Sequence, residues 1–72
     1  MITIEIVRDH DGTYYANVMK NGEYINGLPE YVDYNTLKTA IADHTDVILP
    51  PAGCLHFEKL GRKSYSTVIE IK

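Results

Sequence analysis

Val18-Met19-Lys20-Asn21-Gly22-Glu23-Tyr24-Ile25 decides the fold. Asn21 and Gly22 both tolerate positive φ, as a two-residue type I′ hairpin loop demands. That loop sets a register: Lys20 faces Glu23, Met19 faces Tyr24 and Val18 faces Ile25. One opposite-charge pair and two apolar pairs result, each worth about 0.2 to 1 kcal/mol. Upstream, Tyr14, Ala16 and Val18 alternate with Tyr15, Asn17 and Met19, so residues 13–20 form the first arm, and either face could be the inward one. Asn26-Gly27 ends the second arm. Leu28-Pro29 then carries the chain off the sheet, because proline cannot donate to a ladder.

The pattern extends on both sides. Ile2, Ile4 and Ile6 alternate with Thr3, Glu5 and Val7 in a first strand, and Asp9-His10-Asp11-Gly12 reverses the chain into the hairpin. From Tyr34 to His44 the period changes. Tyr34, Leu37, Ala40 and Ile41 share one side of a helix of about three turns, capped by Asp33 or Asn35. A helix that short is marginal alone in water, so its apolar stripe must lie on the sheet. Pro50-Pro51-Ala52-Gly53 stops the apolar run Val47-Ile48-Leu49. Two more strands follow, Cys54 to Leu60 and Tyr65 to Ile71, joined by a turn at Gly61-Arg62-Lys63-Ser64. The expected fold is α+β: one antiparallel sheet of about five strands in the order β-β-β-α-β-β, with one helix on one face and the other face less protected. An extra short strand at Val47 is the alternative reading.

The 72 residues, 44% hydrophobic and 24% charged, suit a single domain over 1–72 rather than a disordered tail. No run approaches the roughly 20 apolar residues that span a bilayer, and no secretory signal opens the chain. The one cysteine allows no internal disulfide, which fits a cytoplasmic setting. A chain this short buries only about 60% of its unfolded surface, and its core seldom supplies more than about 3 to 5 kcal/mol of net stability. Tight β pairing, self-association or docking on a larger partner is therefore expected.

Chemistry has few candidates. In a strand, Cys54 and His56 would share a face some 6 to 7 Å apart, too far for a direct nucleophile–base pair. No nucleophile elbow, nucleotide loop or calcium loop occurs. Cys54, His56 and His10 make a poor metal set, since structural zinc wants four ligands in close pairs. His44 in the last helical turn suits the macrodipole without any ligand role. The expectation is a non-enzyme with neither cofactor nor metal.

Charge is more informative. The net charge is −3, and it is polarised. Between Asp9 and Tyr34, Asp9, Asp11, Glu23, Glu30 and Asp33 face Lys20 alone, whereas Lys59, Arg62, Lys63 and Lys72 oppose only Glu70 near the other end. Tyrosine supplies six of the aromatics against one phenylalanine and no tryptophan, which favours amphipathic contact surface. The expected partner-binding residues are Asp9, Asp11, Glu23, Tyr24, Glu30, Tyr31, Asp33 and Tyr34, with Leu28 to Tyr34 as the main contact segment. Carboxylates there can stand in for phosphates on a basic, nucleic-acid-binding surface. The few cations at Arg62 and Lys63 are a weak footprint for direct nucleic-acid binding.

Two resemblances accompany this reading. Asp11-Gly12-Thr13-Tyr14-Tyr15, Leu28-Pro29 and Tyr34-Asn35-Thr36-Leu37-Lys38-Thr39-Ala40 resemble HicB-type antitoxin domains, with their acidic-glycine hairpin, Pro-containing loop and T-L-x-x-A helix start. That resemblance implies an antitoxin-like role; the alternative reading of the chain is a small structural or assembly subunit, a homodimer joining edge strands to complete its core. In size, acidity, hairpin-and-helix build and lack of a catalytic motif, the whole chain is similar to small phage-encoded anti-CRISPR proteins. This likeness implies a stoichiometric inhibitor that occupies a CRISPR effector's nucleic-acid-binding or recruitment surface in the host cytoplasm.

Overall fold

A computed structural model describes residues 1–61 and 64–71; the turn expected at Arg62-Lys63, and Lys72, lie outside them. The elements are β1 (Ile2–Arg8), β2 (Tyr14–Lys20), β3 (Glu23–Tyr24), α1 (Tyr34–Thr45), a 3₁₀ turn (Ala52–Cys54), β4 (Glu58–Lys59) and β5 (Tyr65–Ile71). They form one antiparallel five-stranded sheet in the order β3-β2-β1-β5-β4 with one helix, an α+β fold as expected.

The hairpin takes the register its loop dictates. Asn21 and Gly22 have φ of 52° and 87°, and Lys20 pairs with Glu23 and Met19 with Tyr24. The Ile25 amide still donates to the Val18 carbonyl at 2.9 Å, but β3 proper stops at Tyr24, sooner than the Asn26-Gly27 signal suggested. No atom lies within 4 Å of a Cβ added at Gly22. Gly22→Ala is thus expected to cost only the left-handed backbone strain, about 1–2 kcal/mol. Gly53→Ala, where φ is not positive and the space is also open, should be near neutral. Urea midpoints of the two variants check this.

Packing under the helix turns the even-numbered residues of β1 and β2 inward. Ile4, Ile6, Ala16 and Val18 join Tyr34, Leu37, Ile41 and Leu49 in the core, with Ile69 packed against it. Asp33, rather than Asn35, caps α1: its carboxylate accepts from the Thr36 amide at 3.1 Å. At the other end Asp46 turns left-handed at φ 61° and its amide donates to the Ala42 carbonyl. Thr45 is buried there, its hydroxyl donating to the Ile41 carbonyl at 2.7 Å.

Two expectations fail after the helix. No strand forms at Val47; Leu49 is instead plugged into the core at 2% exposure. The strand expected from Cys54 to Leu60 shrinks to Glu58–Lys59, since Ala52–Cys54 coil into a 3₁₀ turn. Leu55 and Phe57 keep their inward alternation but spend it on covering the core. Pro50 and Pro51 cannot serve as ladder donors, so the segment crosses the sheet as a strap before it pairs with β5. Among the described residues, no helix is long and apolar enough to cross a membrane.

Candidate functional site

With α1 and the strap on one side, the other side of the sheet carries Thr3, Glu5 and Val7 from β1, Tyr15, Asn17 and Met19 from β2, and Ser66, Val68 and Glu70 from β5. Its centre is not purely polar. Val7 is 2% exposed there and is flanked in register by Tyr15 and Ser66. Tyr31 lays its ring against Tyr15, with centroids 5.6 Å apart and planes at 54°, while staying largely exposed.

Tyr31 reaches that position through unusual backbone. Its φ is 58°, a left-handed conformation that bulky residues rarely adopt and that costs on the order of 1–3 kcal/mol. The chain leaves β3, passes Pro29 and turns at Tyr31. It then returns so that Val32 and Tyr14 exchange backbone bonds at 2.7 and 3.1 Å. The connector expected to leave the sheet is thus pinned back onto the edge of β2.

Carboxylates surround the tyrosine pair. The Tyr15 phenol is pushed above its ordinary value, first by burial, then by the neighbouring Tyr31 and by the negative charge of Asp9, Glu5 and Glu30. Glu5 accepts from the Asn17 amide group at 3.1 Å across the strands. Asp9 accepts from the His10 amide and ring and from the Ser64 hydroxyl. Among the described residues, the one contact between a basic and an acidic side chain is that of the His10 ring with Asp9 at 3.3 Å. Arg8, the nearest cation in sequence, lies instead over the rings of Phe57 and Tyr65, at 5.1 and 5.0 Å.

The eight residues expected to form the contact surface are not brought together. Asp9, Asp11, Glu30 and Tyr31 gather at the β1–β2 turn end. Glu23 and Tyr24 lie beside the far end of β2, opposite Lys20 and Met19; Tyr24, 66% exposed, shares the open face but is about 13 Å along the strand from Tyr15. Tyr34 faces the core at 8% exposure and donates its hydroxyl to the Pro50 carbonyl. Asp33 is committed to the helix cap. Tyr15, Glu5 and Val7 join the site although they were not among the expected contacts; the signal for them was the alternation itself, once Ala16 and Val18 are placed inward.

Local bonds leave their mark on the acids. Asp9 is held below the usual carboxylate range by the His10 amide and then its ring, Asp11 by Thr13, hydroxyl first, and Asp33 by Thr36, side chain first and then amide. A depressed folded value means that the charged form is the stabilising one. Its contribution is present above the unfolded value near 3.8 and is lost as pH falls through the folded value. Asp33→Asn keeps a capping acceptor without a titrating charge. Its stability at neutral pH should be close to that of the parent chain, with a smaller loss on acidification. Urea unfolding at pH 7 and at about pH 3 checks the difference.

Cys54 is exposed in the 3₁₀ turn rather than in a strand, so the same-face geometry with His56 does not arise. His56 lines a cleft of about 260 Å³ with Glu58, Ser66, Thr67 and Val68. His44 donates its Nδ1 hydrogen to the Ala40 carbonyl at 2.9 Å. Among the described residues, no three His, Cys, Asp or Glu side chains converge as metal ligands. The chain matches no protein-family model, no curated protein and no solved structure.

Proposed function

We propose that this chain is a non-catalytic protein-binding module of the anti-CRISPR kind. It lays the Tyr15–Tyr31 surface, rimmed by Glu5, Asp9 and Glu30, on the basic nucleic-acid-binding surface of a larger complex such as a CRISPR effector. One observation carries this reading: Tyr15 and Tyr31 pack together on the sheet face that the helix leaves uncovered, with Asp9, Glu5 and Glu30 near enough for their charge to act on the Tyr15 phenol. Tyrosine gives large contact area at low entropy cost and is enriched among residues that dominate binding. Carboxylates beside it offer partners to arginine and lysine and steer encounter with a positive surface. The left-handed turn at Tyr31 presents a ring already in place, which reduces the ordering cost on association. Asp11, in the same turn as Asp9, extends the rim. Glu23 and Tyr24 lie outside this footprint, and a net charge of −3 disfavours direct contact with nucleic acid.

Titration of the purified chain into effector–guide complexes of several types, each holding labelled target DNA, tests the reading. For at least one type, DNA binding should fall in proportion to added chain and end near one equivalent per binding surface. Undiminished DNA binding by every effector at saturating chain would contradict it.

A further inference from the structure

In an antiparallel sheet, alternate residues turn their backbone groups to opposite neighbours. On β2, Tyr14 bonds Val32 and Val18 accepts from Ile25, so its even-numbered residues face away from β1. Carried through the register to β1 and β5, this parity turns Ser66, Val68 and Glu70 outward on β5. Ser66 is taken by Glu58 of β4, and the Leu60 amide donates to the Ser64 carbonyl one step further along. Beyond Ser66, β4 has ended and the 260 Å³ cleft opens. Among the described residues, Thr67 to Ile71 pair with β1 alone, so the N–H and C=O of Val68 and Glu70 face outward along a β-branched edge. Such an edge is a template for another strand. The opposite edge is different, since the bonds from Ile25 and Val32 already cap β2.

We infer that β5 pairs antiparallel with β5 of a second copy about a two-fold axis at Ile69, making one continuous sheet through the dimer. An outward residue must meet an outward residue, so the axis falls on a residue, and the open stretch Val68 to Glu70 offers three centres. Centring on Val68 would set Ser66 across from Glu70, but β4 already holds Ser66. Centring on Glu70 would set the two Glu70 carboxylates directly opposite, a destabilising like-charge pair. Centring on Ile69 lets each Val68 exchange both backbone bonds with the other copy's Glu70. On the helix side it sets Ile69 against Ile69 and Thr67 against Ile71, which covers apolar surface at the rim of the core. The contact is self-complementary, as a two-fold interface requires, and it lies across β1 from the Tyr15–Tyr31 surface.

Sedimentation velocity of the full chain over a wide concentration range should show a reversible monomer–dimer equilibrium. Val68→Pro removes an outward amide while the odd-numbered residues keep their bonds to β1, and edge positions of this kind tolerate proline. The variant should keep its strand circular dichroism and sediment as a monomer. The Ile69 pair, with no backbone bond between its members, has a Cα separation of about 4.5 Å, within the range of a disulfide. With Cys54 replaced by Ser, Ile69→Cys should therefore form an interchain disulfide at least about tenfold faster than Val68→Cys, which falls across from Glu70. The Thr67→Cys/Ile71→Cys double variant reads the same register should Ile69→Cys prove unstable. A wild-type monomer at every concentration, dimerisation unchanged by Val68→Pro, or cross-linking no faster at residue 69 than at 68 with the double variant also inert, would each overturn the inference.

Discussion

Leu37→Ala should leave the domain largely unfolded at 25 °C. Leu37 is 0% exposed and packs with Ile4, Ile6, Ile41 and Leu49 in the core. Cutting a fully buried leucine to alanine removes its transfer free energy and leaves a cavity, at a cost of about 2–5 kcal/mol. A chain of this length has only about 3–5 kcal/mol of net stability to lose, so one substitution approaches the whole margin. Ile48, a single turn beyond the helix and 77% exposed, is the control: Ile48→Ala should stay within about 0.5 kcal/mol of the parent chain. Urea unfolding followed by circular dichroism separates the two. A Leu37→Ala midpoint as high as that of Ile48→Ala would mean that the helix is not seated on the sheet as described.

Tyr34→Ala is expected to be nearly as damaging, and Tyr34→Phe much less so. The ring stands edge-on to Tyr14, with centroids 5.4 Å apart and planes at 63°, and Tyr14 in turn meets Phe57 at 6.2 Å. Removing it empties the junction between hairpin, helix and strap, at about 3–5 kcal/mol. Phenylalanine keeps the ring but leaves the Pro50 carbonyl without its donor, at about 1 kcal/mol. The pair also differ in alkali. Burial, with lesser effects from Tyr14 and Cys54, pushes the Tyr34 phenol above its ordinary value. The stabilisation from its neutral form is complete below the unfolded value near 10 and is lost as pH rises through the folded one. Tyr34→Phe should flatten that alkaline limb, which thermal melts between neutral and alkaline pH would record.

The parts of the fold legible in the sequence are those set by local chemistry. Asn21-Gly22 determines its own turn and, through the turn, the pairing of Lys20 with Glu23 and of Met19 with Tyr24. Ile2, Ile4 and Ile6 announce a strand by period, and Asp33 and Asn35 announce a cap, of which the structure uses Asp33. What escaped depends on tertiary choices. Cys54 to Leu60 alternate like a strand, yet Ala52–Cys54 coil into a 3₁₀ turn, and Leu55 and Phe57 pack against the core instead of extending the ladder. Tyr31 carries no sequence mark of a left-handed conformation. It is held there because Pro29 directs the chain away and the Val32–Tyr14 bonds draw it back. An acidic, tyrosine-bearing patch was legible in the sequence, but not which residues the fold would gather into it. Period two implied that Tyr15 and Glu5 share a face only if Ala16 and Val18 point inward, and nothing local decides that. Asp33 and Tyr34, two and three residues beyond Tyr31 in sequence, are drawn off to the cap and the core by the helix that starts there.

The proposal that this chain acts through a preformed, negatively charged tyrosine surface is tested most directly by Glu5→Lys/Glu30→Lys. Both positions lie on or beside the open sheet face, and neither carboxylate holds up the core. The variant should keep its fold by circular dichroism. Measured against an effector that the parent chain inhibits, its affinity should fall at least about tenfold, and the dependence of affinity on salt should flatten, since the lost charges are those facing the partner. Equal affinity and an equal salt slope for parent and variant would contradict the proposal.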